Sequence, residues 1–596
     1  VLPQVVNAQY KNTFVNTPNN NNKNIAYKMN TWNPSDSAPF PALINLTSFV
    51  VNRREMFKIN EELTLANVTV LASLLISGAE IDYLSLNEEL PAGTGAALGK
   101  AIKCYGGMIS LYVSSGDTKC GPTPELSQLV AVSPSVALEY LTVQSLTIDS
   151  ECMSRLCSSF GTKLTALRSL TIDYCRFDIL LLAKWIDSLQ VLESLDVRSK
   201  SFVSSGAETL FAGLGKLPAI VRLRLENIEI GVESLRQLGE KFLGELRGLI
   251  LRENQLGNNG VSAIVDAIIT SRRGRCKLEE LVLCFNDIGL AGAGNISRLI
   301  VCSPHIYHIN LDGNPKLGII VSQALEMCAY SLDTLRVNKS NMGPRRIASL
   351  LALGYHALTT LDISANEAGD QGAEAVAKFL LRSGGRTLRN LYMTNNGITK
   401  AGALKLAKGL AKAYAILIIY VDINPLGPCG GAAVLNALAD VSTVRMNSIG
   451  ISCCNIGDAG ASAAGKLIMH RGCIDMNLAS NGIGAKSAKV IANSIHSSTC
   501  VMEVLNLYDN ALGDDGIAYF LCCITWKNRS LCKLCMSLQD IGIKGAIAVK
   551  RAMKVQGALQ ELIYIEDVKD QVAEDILRET NRGSNYAKLV KRKTRF

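Results

Sequence analysis

The chain has 596 residues, with 61 Lys and Arg against 52 Asp and Glu for a net charge of +9, and 48% of its residues are apolar. The longest apolar runs, Val68 to Ile76 and Ala415 to Val421, are too short to cross a bilayer, so the apolar content argues for a continuous core and against a membrane segment. Six of the basic charges sit in the last fifteen residues, which leaves the rest nearly neutral.

In chain order, residues 1–45 carry Asn19, Asn20, Asn21 and Asn22, several prolines and the isolated aromatics Tyr10, Phe14, Tyr27, Trp32 and Phe40. Such a segment cannot bury enough apolar area to fold alone. We read it as an extended polar arm that lies on a partner with Tyr27 and Trp32 as anchors, followed by an N-terminal cap at 46–80.

From 81 to 570 one phrase recurs, most clearly as Leu391-Tyr392-Met393-Thr394-Asn395-Asn396-Gly397-Ile398 followed by Gly402-Ala403-Leu404. Its period is about 28 residues. Alternating apolar residues predict a short strand, and helical spacing follows, as at Ala373, Val376, Ala377 and Leu380. Between them an anchor residue turns inward, where an amide or thiol can donate to carbonyls that no strand pairing satisfies. The register places anchors at Glu89, Gly116, Glu151, Cys175, Lys200 and Ile228, then at Asn254, Asn286, Asn314, Ser340, Asn366, Asn396, Asn424, Cys454, Asn481, Asn510, Gln539 and Asp567. Before Asn254 the spacing is uneven, so turns there must close differently.

One strand and one helix cannot bury their apolar faces alone, and the units must stack. The pattern resembles the ribonuclease-inhibitor-like class of leucine-rich repeats. That resemblance implies an α/β solenoid shaped as a horseshoe, with about 18 strand-helix repeats, a parallel sheet on the concave side and helices outside. The class includes inhibitors, GTPase-activating proteins for Ran, sensor domains of NOD-like receptors and ciliary or axonemal scaffolds, so function must be sought on surfaces.

On each strand, the residues flanking the inward one face solvent. On that concave face fall Arg198, Arg222, Arg224, Arg252 and Arg336, the tyrosines Tyr112, Tyr392, Tyr420 and Tyr508, and among them Asp149, Asp173, Asp196, Asp312, Asp362 and Asp422. Arg and Tyr are enriched at protein interfaces, and we read these as partner contacts. The cluster Arg272, Arg273, Arg275 and Lys277 marks a second contact loop. Residues 571–596 read as a C-terminal cap and basic tail. Within it Arg582, Lys588, Lys591, Arg592, Lys593 and Arg595 suit an acidic surface such as tubulin or RNA.

Signals for chemistry are weak. Gly93-Thr94-Gly95-Ala96-Ala97-Leu98-Gly99-Lys100-Ala101 has one residue too many for a phosphate loop and lacks its hydroxyl. Only His305 and His308 share a ligand-like spacing, and Cys532 to Cys535 has no second pair. Gly343-Pro344-Arg345-Arg346 lacks the acidic partner of the Ran-activating turn and lies far along the chain. No cofactor, metal or small-molecule substrate is expected. Eighteen cysteines without a disulfide pattern suit a reducing intracellular compartment. The expectation is therefore a non-enzymatic scaffold or adaptor that binds other proteins in a large intracellular assembly. A cytoskeletal setting, the cilium or flagellum, leads. The alternatives are a Ran-type GTPase regulator and a structural subunit of a mitochondrial or ribonucleoprotein assembly.

Overall fold

The computed structural model describes residues 56–591 apart from short stretches, the longest being 116–122, 200–206, 236–244 and 318–324. The N-terminal arm with Tyr27 and Trp32, the tail residues Arg592, Lys593 and Arg595, and the loop residues Arg272, Arg273 and Arg275 lie outside the described residues. Arg582 ends the last helix, while Lys588 and Lys591 bound the last strand. The side chains of these three also lie outside the description.

Among the described residues 20 strands form one sheet, and each pairs in parallel with the next in sequence. It begins at Met56–Ile59, within the segment set apart as a cap, and ends at Lys588–Lys591, within the C-terminal one. The register advances unit by unit, so Leu335, Leu361, Leu391, Ile419, Ile449 and Met476 lie side by side. None is more than 1% exposed. Each such side chain taken out of water contributes about 1.5–3 kcal/mol, before conformational entropy is subtracted.

Between strands the chain returns through helices whose inner faces complete the core. Gly369–Phe379 buries Gly372, Ala373, Val376 and Phe379, and Lys400–Leu410 buries Gly402, Ala403, Leu406 and Leu410. The interval from Asn366 to Asn396 is longer than the next, and a wider π turn at Leu380–Gly384 takes up the extra chain. No described helix is long and apolar enough to cross a membrane.

The anchor slot joins the units. Asn396 is 1% exposed. Its Oδ1 accepts from the N–H groups of Asn366 at 3.0 Å and Ala368 at 3.2 Å, and its Nδ2 donates to the Ile363 carbonyl at 3.0 Å. Asn424 repeats the pattern one unit on, accepting from Asn396 and Ile398 at 3.0 Å each. Cys454 keeps half of the role, since its Sγ donates to the Val421 and Ser452 carbonyls at 3.2 Å each. It offers no amide oxygen, and the Leu426 N–H turns to the carbonyl of Asn424 instead.

One anchor is corrected. Glu151 lies in the helix Ser150–Phe160, where it pairs with Arg155 at the surface. The inward slot of that unit holds Leu146, fully buried and preceded by Ser145 in the left-handed region at φ 56°, as Asn395 precedes Asn396 at φ 53°. With Leu146 in place the spacing evens out. Leucine cannot bridge carbonyls, and the backbones pair directly: the Arg176 N–H donates to Leu146 O and the Ile148 N–H to Arg176 O, both at 2.8 Å.

Candidate interaction surface

Helices cover one face of the sheet, so the other presents columns of side chains set by the parallel register. One column runs through Asp196, Arg224, Ile250 and Val282, and the neighbouring one through Asp173, Arg198, Glu226 and Arg252. Opposite charges thus alternate from strand to strand. Arg198 meets Asp196 at 2.8 Å and Asp173 at 3.4 Å, while Arg224 meets Glu226 at 2.9 Å and Asp196 at 3.6 Å. Arg252 meets Glu226 at 3.5 Å, and its guanidinium lies over the Phe285 ring at 5.3 Å. Further on, Arg336 bridges Asp312 at 3.2 Å and Asp362 at 3.1 Å. These arginines, read as partner contacts, are therefore committed first to their own neighbours.

The ladder roofs a small apolar floor of Ile250, Val282 and Cys284 on the same face. Burial there pushes the Cys284 thiol up to about 12 and raises the carboxyls of Asp173 and Asp312 despite the arginines beside them. Burial also lowers His308, against the opposing pull of Glu280. Arg222 reaches across a whole strand to Glu280. It can do so because Gly248 lies between, where an added Cβ would stand 2.9 Å from the Arg222 Cγ.

Beyond Arg336 the face changes character. Tyr392 and Tyr420 occupy the column of Asp362 with ring centroids 5.4 Å apart. The Tyr420 hydroxyl and Ser448 Oγ share a hydrogen bond of 2.7 Å, and Ser448 donates to Asp475 at 3.4 Å. Asp422 accepts from the N–H and the hydroxyl of Ser452 at 2.7 and 2.6 Å. A second glycine, Gly450, opens this region: a Cβ there would meet Tyr420 at 2.1 Å and Asp422 at 2.3 Å. Burial raises the carboxyls of both Asp422 and Asp475.

Other expected residues fall differently. Asp149 is not on this face; its carboxylate accepts from the Cys152 N–H at 2.7 Å at the start of a helix. Tyr508 is on the face but only 7% exposed, packed with Ala479 and Cys535. Tyr112 donates to Gln144. The N–H groups of Gly93 and Gly95, which a phosphate would need, are held by the Glu125 carboxylate at 2.6 and 2.7 Å. Among the described residues no three His, Cys, Asp or Glu side chains are grouped to hold a metal. Glu226, Glu280, Ser448 and Asp475 were missed by the sequence reading, although strand alternation places them in the same columns.

The family model described as Leucine Rich repeat matches residues 356–377, 386–407 and 447–463. The chain is 24% identical to the ribonuclease inhibitor of Mus musculus over 332 residues, covering 54% of this chain and 72% of that protein. It is also 24% identical to the ribonuclease inhibitor of Sus scrofa over 394 residues, 65% of this chain and 79% of that one. Protein CARMIL of Dictyostelium discoideum is 26% identical over 343 residues, 54% of this chain and 32% of that protein. With the repeat register, the sequential parallel sheet and the anchor ladder, these similarities identify the chain as a leucine-rich repeat protein of the ribonuclease-inhibitor-like class.

Proposed function

We propose that this protein is a non-enzymatic interaction scaffold that holds protein partners on the uncovered face of its sheet. One observation carries the reading: along the described sheet, the helices lie on one side and the columns of Arg, Asp, Tyr and Ser on the other stay partly open to solvent. A long array of fixed side chains suits binding of extended surfaces, where aromatic residues and Arg supply the anchoring contacts. Cross-linking mass spectrometry of the protein in its native setting tests this. Links should concentrate on the strand residues of the open face, and links confined to the helical side would remove the proposal.

The finer expectation is a cytoskeletal assembly, such as the cilium or flagellum, reached through the basic tail. It is supported by the concentration of charge in Arg582, Lys588, Lys591, Arg592, Lys593 and Arg595. Deleting residues 582–596 should abolish co-sedimentation with microtubules at low salt. Unchanged sedimentation would eliminate the tubulin tether.

A further inference from the structure

We infer that the open face between the strands Asn390–Tyr392 and Val504–Leu507 docks a cationic segment of a partner protein, with arginine or lysine side chains seated against Asp422 and Asp475. The inference rests on the reading of the open face as the contact surface. It adds the chemistry of what is held there.

The contrast within one sheet leads to it. From Asp173 to Asp362 each arginine of the face has a carboxylate within ion-pair distance, so that half is balanced internally. Between the strands Asn390–Tyr392 and Val504–Leu507 the pairing stops among the described residues of the face, to resume at Lys533 and Glu561. Among the described residues neither Asp422 nor Asp475 forms an ion pair. Their charge is supported by the hydroxyls of Ser452 and Ser448 and one backbone N–H. The basic side chain that acts on Asp475 is Lys533, itself paired with Glu561 at 3.6 Å. Among the described residues no basic side chain pairs with Asp422.

A carboxylate withdrawn from water and left without a cation costs stability, which a partner's cation would recover. Three further features suit such an occupant. The tilted rings of Tyr392 and Tyr420 offer π faces to a guanidinium, which stacks on aromatics. Gly450 removes the one side chain that would stand between Tyr420 and Asp422. Ile423, next to Asp422, is 52% exposed although it is β-branched and held at φ 55°. An apolar residue kept there gives the partner's aliphatic stems something to cover. Asp475 pairs with Ser448 in the strand of Gly450, and Ser448 with Ile418, whereas Asp422 follows the end of the strand Ile418–Tyr420, so the two carboxylates lie apart both along and across the strands and one side chain cannot serve both. The occupant is a segment with at least two cations.

The test uses the full chain and a labelled hexa-arginine peptide, with hexaglutamate as the control probe. Asp422→Asn and Asp475→Asn keep the shape of the site, and each should weaken hexa-arginine binding about fivefold or more, the scale of a close charge contact. Asp515→Asn, on the helical side, should change it less than about twofold, the scale of an exposed charge. Ile423→Lys, at an exposed position, should weaken binding in the same direction, so the outcome does not depend on how the Asp variants fold. Equal binding by wild type, Asp422→Asn, Asp475→Asn and Ile423→Lys would overturn the inference. The native cross-links separate this failure from that of the scaffold reading. Links to the open face that carry acidic partner segments defeat only the cationic assignment, whereas no links to that face defeat the scaffold surface itself.

Discussion

At the residue scale the anchor slot decides how well each unit is joined to the next. Asn fills both roles, donating to carbonyls and accepting from two N–H groups of the preceding unit, all away from water. Removing it strands several buried polar groups at once. Asn396→Ala should therefore cost about 3 kcal/mol or more, read from the urea midpoint. The converse change is also informative. Cys454→Asn would offer the Asn424 and Leu426 N–H groups an amide oxygen in place of the thiol and the Asn424 carbonyl that they now meet, and should stabilise by about 1 kcal/mol, while an unchanged or lower midpoint would show that the slot is too tight for the amide. Thiol chemistry follows the same geometry: burial holds the Cys454 and Cys473 thiols up at about 12, so both should resist alkylation in the folded state, while exposed Cys104, Cys429 and Cys453 react. The slot was legible wherever it holds Asn. It was misread at Leu146, an apolar anchor with no polar signature, although distance from the strand leucine was enough to place the equally apolar Ile228.

At the scale of elements, strands were legible and the reach of their side chains was not. Alternation told which face Arg198 or Arg336 occupies, but partners such as Asp173 and Asp312 lie in the preceding unit, and the cross-strand register decides whether they are engaged. Arg336→Ala would leave Asp312 and Asp362, both with side chains under a tenth exposed, without their cation. The expected loss is about 2 kcal/mol, less than for a fully buried pair because Arg336 is itself partly solvated. Helix starts show a second device that the sequence reading passed over. Asn258, Asp370, Asp458 and Asp514 each reach from one helix to N–H groups at the start of the next. The Ser487 hydroxyl and the Gly484 N–H hold the Asp458 carboxyl below its ordinary value. A depressed folded pKa contributes stability that is present above the unfolded value, near pH 4, and is lost as pH falls through the folded one. The stability gap between wild type and Asp458→Asn should thus shrink as pH falls from 6 toward 3, and a constant gap would exclude this ionic contribution.

For the molecule as a whole, every described strand pairs only with its sequence neighbours, and a few side chains, such as Arg222, reach one strand further, so stability is mainly a chain of local interfaces. The interfaces are unequal. From Asn254 to Asn510 the amide ladder is nearly continuous, broken by Ser340 and Cys454. Earlier units are joined through Leu146, the longer sulfur bonds of Cys175 at 3.4 to 3.6 Å, and Ile228. Unfolding should therefore begin in the earlier units and need not be one cooperative step. Hydrogen exchange read by mass spectrometry distinguishes the cases: amides of the strand Ser169–Asp173 should exchange sooner than those of Asn390–Tyr392. Asn396→Ala should then create a second weak point within the protected block, bringing exchange in its own and the preceding strand forward while leaving Val504–Leu507 unchanged. Uniform protection in the wild type, or loss of protection throughout in the variant, would mean that the units unfold together and that the ladder does not set the order.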